Sequence, residues 1–252
     1  MSNDGSASWR LRVAVTRDEP ADGPLSTALR DLNLEPVRCL VMDERPPQNV
    51  AALRVAAEAL ERYDWVICSS ARAVKAIEAT RSAPWPRAVR TAAVGARTAA
   101  ALSRVGADPP PLTAADGGAE ALVTALSGLE WKDRRVLLPT VPGGRSVLSR
   151  WLRDAGAIVE EVEAYRMSPR SPERILADWT SARPDAAIVA SPLTAATLVD
   201  AVGSSSLCAL KVVVAIGAAT SAALTAAGVP HGVSPRADFG EAARLLAKLG
   251  ES

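Results

Sequence analysis

The chain carries one order of segments twice, and the second run begins about half-way along. Asp64-Trp65-Val66-Ile67-Cys68-Ser69-Ser70-Ala71 returns as Asp185-Ala186-Ala187-Ile188-Val189-Ala190-Ser191-Pro192, 121 positions later. Val94-Gly95-Ala96-Arg97-Thr98, with Leu102 and Gly106, returns 122 positions on as Ile216-Gly217-Ala218-Ala219-Thr220, with Leu224 and Gly228. Arg12-Val13-Ala14-Val15 and Arg135-Val136-Leu137-Leu138 stand 123 positions apart. Drift by single residues is what loop insertions leave behind. The period is too long for a solenoid, whose repeats run to roughly 20–50 residues. Two copies of one α/β domain fit better, and two similar lobes offer a cleft where a ligand can sit.

In 252 residues each copy has enough chain for its own core. Apolar residues make up 48% and charged residues 23%, the balance of a soluble globular protein. A formal net charge of +1 provides no global field for nucleic acid or an anionic membrane, so neither is an expected partner. No apolar run is long enough to span a bilayer, and residues 1–9 read as a loose tail with no signal peptide following. Cys39, Cys68 and Cys208 are odd in number, widely spaced and set in or beside apolar runs. They read as reduced, buried thiols of a cytoplasmic protein. His231 is the only histidine, which argues against a histidine metal centre and a Ser-His-Asp triad. It sits in a Pro-His-Gly turn and reads as ordinary surface.

Short apolar strands alternate with helical spacing along the whole chain. Strands are expected at 11–16, 34–37, 65–68, 89–94, from 135, 158–165, 187–190 and 212–216. Helices are expected around 25–32, 53–60, 72–79, 99–105, 146–155, 194–201, 221–227 and 240–249. This alternation predicts parallel sheets with helices on both faces. In such folds ligands gather beyond the carboxyl ends of the strands. Those ends carry Thr16-Arg17, Ser69-Ser70, Gly95, Gly143-Gly144, Ser191-Pro192 and Gly217. The repeat alone permits a simple cut near residue 130. The extended stretches 36–42 and 162–168 permit a second arrangement, in which the chain crosses between lobes twice.

Taken together, Val15-Thr16-Arg17, Asp64–Ser70, Val94–Thr98, Val162-Glu163-Ala164-Tyr165, Ala187–Pro192 and Ala215–Thr220 resemble the uroporphyrinogen-III synthase family over almost the whole chain. The resemblance implies two similar parallel-sheet lobes with flanking helices, one inserted in the other and joined by a two-stranded linker. Carried over, the outer lobe is 10–37 plus 169–252, the inner lobe 41–164, and the linker strands 36–40 and 163–168. It also implies an activity, that of a cyclising hydro-lyase in heme and other tetrapyrrole biosynthesis. Such enzymes close the linear tetrapyrrole hydroxymethylbilane into uroporphyrinogen III in the inter-lobe cleft, inverting ring D and losing water. They need no cofactor and no metal, and a monomer is the expected state.

The substrate supplies its own electrophile when its hydroxymethyl group departs, so the protein's main task is to orient a floppy chain. Its acetates and propionates call for anion-binding groups in a protein with almost no net charge. Helix N-termini assisted by hydroxyls can provide them. Ser70, Thr98, Ser191 and Thr220 stand at strand-to-helix junctions, as either caps or carboxylate ligands. Gly95, Gly144, Pro192 and Gly217 shape the same edges. Arg17 and Arg72 follow strand ends directly. With Arg145 after the Gly143-Gly144 loop, and Arg97, they can fork onto carboxylates. No Gly-Lys-Ser/Thr follows that loop, so it is not a P-loop. Lys211 reads as exposed.

Tyr165 matches the family's conserved tyrosine, and its phenol can hydrogen-bond or protonate the departing hydroxyl. The plain alternative is a packed linker ring with a solvated hydroxyl. Two departures from the family pattern stand out. Its Thr-Ser pair is Ser69-Ser70 in one copy and Ala190-Ser191 in the other, and its double threonine is Ala219-Thr220. Two rival readings follow: a non-catalytic two-lobe binder of an anionic metabolite, or a degenerate regulatory relative of the synthase.

Overall fold

The computed structural model describes residues 10–114, 118–144 and 147–251. The expected tail at 1–9 and Arg145 lie outside them. The chain opens with β1 (Arg12–Val15), α1 (Pro24–Arg30), β2 (Glu35–Arg38) and β3 (Met42–Arg45). It continues through α2 (Val50–Glu58), β4 (Trp65–Cys68), α3 (Ala71–Thr80), β5 (Arg90–Ala93), α4 (Ala96–Arg104), β6 (Leu112–Thr113) and α5 (Ala119–Leu126). Next come β7 (Arg135–Thr140), α6 (Val147–Asp154), β8 (Ile158–Glu163), β9 (Arg166–Pro169) and α7 (Pro172–Ala182). The last run is β10 (Ala186–Val189), α8 (Pro192–Val202), α9 (Ser204–Cys208), β11 (Val212–Ala215), α10 (Ala218–Ala226), β12 (Gly232–Val233) and α11 (Phe239–Leu249).

Two compact units result. One comprises the described residues up to Asp43 and from Ser168 onward; the other is Glu44–Met167. The first holds a five-stranded sheet in the order β12-β11-β10-β1-β2, and the second a sheet in the order β6-β5-β4-β7-β8. Every neighbouring pair in both sheets is parallel. Strands with equivalent sequence take equivalent places: β1 with β7, β10 with β4, β11 with β5. Each sequence copy therefore gives its opening strands to one sheet and its later strands to the other. A cut near residue 130 would separate β4 from β7, which pair at Trp65↔Val136 and Val66↔Leu137. The sequence repeat and the folded unit are different objects.

The crossing strands also fall later than expected. Pro36 and Val37 belong to β2 and pair with Val13 and Ala14. Strand β2 is the edge of its sheet, the one place where a proline costs no ladder bond. The two-stranded sheet is instead β3 with β9. Just past β9, the Arg170 guanidinium meets the Leu40 carbonyl at 3.1 Å and the Asp178 carboxylate at 2.5 Å. Asp43 lies 3.3 Å from its Nε, an ion pair off the hydrogen-bonding line.

The repeated aspartates have a structural job. Asp185 accepts the Arg12 backbone N–H at 2.9 Å, and its own N–H donates to the Arg12 carbonyl at 2.8 Å. Asp64 does the same with Arg135, at 2.9 and 2.8 Å. The carbonyls of Asp185 and Asp64 then accept the N–H of Lys211 and of Arg90. Each aspartate thus clasps three strands at their amino ends. The Arg135 N–H holds the Asp64 carboxyl below the ordinary range despite its burial, and Arg134 at 2.9 Å adds to this.

In the Glu44–Met167 unit the period-two alternation of strands sorts side chains to two faces. Val66, Cys68, Leu137 and Val162 pack under α2, α3 and α4 together with Tyr165. Trp65, Ile67, Val136 and Leu138 pack under α5 and α6 with Trp131. The other unit builds its core from β1, β10 and β11 against Leu25, Leu29 and Leu246. Burial raises the thiols of Cys68 and Cys39 to about 12, with Asp178 adding to the effect on Cys39. Cys208, expected to be buried, is exposed, because it ends the five-residue α9.

Candidate functional site

Ser70 and Ser191 take the place their position predicted. Each is an N-cap in extended conformation, accepting the N–H three residues on: Ala73 at 3.2 Å and Thr194 at 3.1 Å. Pro192 occupies the first turn of α8, where its missing N–H costs nothing. Thr98 and Thr220 differ from expectation. Gly95 and Gly217 are the caps, so α4 and α10 begin three residues earlier than hydrophobic spacing indicated. Both threonines then lie inside the first turn and are buried.

Two of the candidate arginines are engaged. Arg72 pairs with Glu44 at 2.9 Å. Arg17 lies 4.4 Å over the Phe239 ring and 3.6 Å from Glu19. Arg97 is exposed on the first turn of α4. His231 also departs from the plain surface reading. Its Nδ1 donates to the Val229 carbonyl, which can only accept, at 2.7 Å, and its Nε2 lies 2.8 Å from the Ser221 hydroxyl. The ring ties the turn before β12 to α10.

Two features stand at the carboxyl edge of the Glu44–Met167 unit. The first is a cavity of about 470 Å³, within the ordinary range for small-molecule pockets. Ser69, Thr140, Gly143 and Gly144 line it where β4 and β7 end, and Gly118 and Ala119 line it at the start of α5. Glu161 and Ser149 form its polar wall. Burial opposes the charge on Glu161, but the Ser149 hydroxyl at 2.5 Å and Arg153 at 2.7 Å hold its carboxyl below the ordinary range. No sequence signal marked Ser149, Arg153 or Glu161, because their acid–base match spans a helix and a strand.

The second feature is a hydrogen bond of 3.2 Å between the Tyr165 hydroxyl and Ser70 Oγ. Tyr165 lies between β8 and β9, past the end of the strand expected to run through it. Its ring is buried in the core cluster that also holds Cys68, Val74 and Val162, and its hydroxyl reaches the cap of α3. Ser70 and Tyr165 lie on the α3 side of the sheet, and the cavity lies on the α5–α6 side. Among the described residues no cluster of His, Cys, Asp and Glu is placed to hold a metal, and no helix is long and apolar enough to cross a membrane.

A duplicated, strand-exchanged α/β protein with glycine- and hydroxyl-lined carboxyl edges is a ligand-handling class. Within that class the chain belongs to the uroporphyrinogen-III synthase family: the family described as Uroporphyrinogen-III synthase HemD matches residues 23–243. A uroporphyrinogen-III synthase of Synechococcus elongatus is 30% identical over 188 residues, 71% of this chain and 65% of that relative. The chain thus spans just under two thirds of that relative's length. Uroporphyrinogen-III synthetase from Helicobacter pylori superimposes with a TM-score of 0.59 at 15% identity, covering 95% of this chain and 99% of its own. A mutant uroporphyrinogen III synthase from the extremely thermophilic bacterium Thermus thermophilus gives 0.55 at 19% identity, covering 96% and 99%. These two likenesses concern the fold.

Proposed function

We propose that the chain is a uroporphyrinogen-III synthase, a lyase that cyclises hydroxymethylbilane to uroporphyrinogen III. The observation carrying this reading is family membership across residues 23–243. In the reaction the hydroxymethyl group takes a proton and leaves as water, and the azafulvene left behind is electrophilic. The substituted carbon of ring D attacks it to give a spiro intermediate, which fragments and recloses with that ring inverted. The proton returns when the reclosed pyrrole regains aromaticity. Tyr165 is the group assigned to the departing hydroxyl.

The first turns of α3 and α8, capped by Ser70 and Ser191, receive substrate carboxylates, since backbone N–H groups there favour anions without a basic surface. The glycine caps Gly95 and Gly217 leave the equivalent turns of α4 and α10 open: among the described residues, nothing beyond the neighbouring chain lies within 4 Å of where a Cβ would stand on either. Gly144 and Arg17 complete the carboxyl edges of their own units. A cytoplasmic location, consistent with the unpaired thiols, and a monomeric state are part of the same reading.

Freshly prepared hydroxymethylbilane tests the reading. Unaided, it closes without inversion to the type I isomer, so the protein should shift the product to type III. An isomer ratio identical with and without protein rejects the activity. Tyr165→Phe should slow type III formation by roughly tenfold without abolishing it, because one phenol supplies only part of a positioning-dominated catalysis. Unchanged kinetics would remove Tyr165 from the chemistry.

A further inference from the structure

We infer that Ser70 acts on the reaction through Tyr165, as the positioning residue that fixes where the phenol's proton points. The inference rests on the synthase reading above. A serine hydroxyl has one proton and two acceptor sites. Ser70 Oγ accepts the Ala73 N–H at 3.2 Å, which fixes one of those sites along the axis of α3. The Tyr165 oxygen stands 3.2 Å away on another side. The ring has little room to swing to a different partner, because it is buried in the core cluster that also holds Cys68, Val74 and Val162.

Two proton arrangements satisfy this geometry. If the phenol donates to Ser70, its proton is occupied and unavailable to a leaving group. If Ser70 donates to the phenol oxygen, the tyrosine proton is free to point outward. It can then be given to a departing hydroxyl, while the Ser70 O–H steadies the negative charge that develops on the phenol oxygen. Only the second arrangement fits a tyrosine that protonates, and the Ala73 N–H is compatible with it. That amide occupies one acceptor site on Ser70 and leaves the serine proton free to turn toward Tyr165. The first turn of α3 also places positive helix-dipole charge beside this oxygen pair. Ser70 was expected to bind substrate directly; this assignment puts its main effect one bond further back.

The two roles separate kinetically. A serine that holds a substrate carboxylate raises KM when lost. A serine that orients the phenol lowers kcat and leaves KM in place. Ser70→Gly is the informative variant, since glycine is a tolerated N-cap and removes the hydroxyl together with its Cβ at little cost to the helix start. Ser70→Thr retains both cap and hydroxyl. In the full chain, type III formation by Ser70→Gly should fall several-fold to about tenfold in kcat with KM unchanged, the loss expected of one hydrogen bond to a developing charge. Ser70→Thr should recover most of that loss. On a Tyr165→Phe background, Ser70→Gly should cost little more, because the partner oxygen is already gone.

A wild-type protein that produces no excess of type III would remove the synthase reading itself. If the wild type is active, three results would overturn the Ser70 assignment alone: a raised KM at unchanged kcat, full additivity with Tyr165→Phe, or no recovery by threonine. Thermal melting of each variant accompanies the kinetics. An activity loss that tracks a fall in melting temperature, with glycine and threonine alike, would also count against it.

Discussion

Trp131→Ala is expected to destabilise the protein by about 3–5 kcal/mol, the range for emptying a buried aromatic site. That is a large part of the roughly 5–15 kcal/mol that holds a domain folded. Trp131 is 3% exposed. Its ring lies 5.2 Å from Trp65 in a tilted arrangement and 6.0 Å from Trp151 edge-on, geometries that contribute beyond buried area alone. Its Nε1–H donates to the Leu126 carbonyl at 3.0 Å, at the end of α5. Alanine would leave a cavity between α5, α6 and β4, and would unpin the helix whose first residues line the 470 Å³ pocket. Trp131→Phe keeps a packed ring but loses the hydrogen bond, so it should cost less than half as much. Urea unfolding followed by circular dichroism measures both. An alanine loss below about 1 kcal/mol would show that the three tryptophans do not organise this face.

Much of the framework was readable because buried parallel strands announce themselves. Val66-Ile67-Cys68 and Val212-Val213-Val214 are apolar on both faces, and the expected strands there match to within one or two residues. The repeat was also readable, but its meaning was not. Sequence similarity identifies equivalent strands and says nothing about which partner each one chooses. Only the pairings of β7 with β4 and of β1 with β10 show that the copies exchange strands. The unforeseen elements gave weak signals. Strands β6 and β12 have two residues each, too few for any periodicity. Helix α7 buries only Ile175 and Trp179, one narrow stripe, while Leu176 on the same helix is exposed. Its Ser171-Pro172-Glu173 start was a usable helix-opening signal.

The serine caps beside the candidate site were legible in the sequence, and the pairings around them were not. A serine after an apolar strand is a good cap candidate, and Ser70 and Ser191 fill that role. Glycine caps carry no hydroxyl to mark them, so the starts of α4 and α10 were misplaced and the buried state of Thr98 and Thr220 was hidden. The Ser70 to Tyr165 bond joins residues 95 positions apart, and the Ser149–Glu161–Arg153 group joins a helix to a strand. No local pattern encodes such meetings. They depend on where β8 ends and how the turn into β9 points its tyrosine.

The aspartate clasps carry the second large effect, and they divide it evenly between the units. Asp64→Ala and Asp185→Ala should each cost about 1–2 kcal/mol, the scale for removing a partly exposed charged acceptor from backbone N–H groups. The two share no partner, so the double variant should lose close to the sum. The pH dependence follows from the direction of the Asp64 shift. Its folded carboxyl binds a proton less readily than the unfolded one, so its stabilisation is complete above the unfolded pKa of about 3.9 and disappears as pH falls through the lower folded value. Wild type and Asp64→Ala should therefore differ by a constant amount from about pH 7 to about pH 5 and draw together in acid below about pH 4. Asp64→Asn keeps an acceptor oxygen without the charge, so it should fall between them near neutral pH and, like Asp64→Ala, lack the acid-dependent part of the clasp's stability. Chemical unfolding across that range decides the matter. A gap that widens on acidification would mean that the clasp does not work through its carboxylate, and the repeated aspartate would need another explanation.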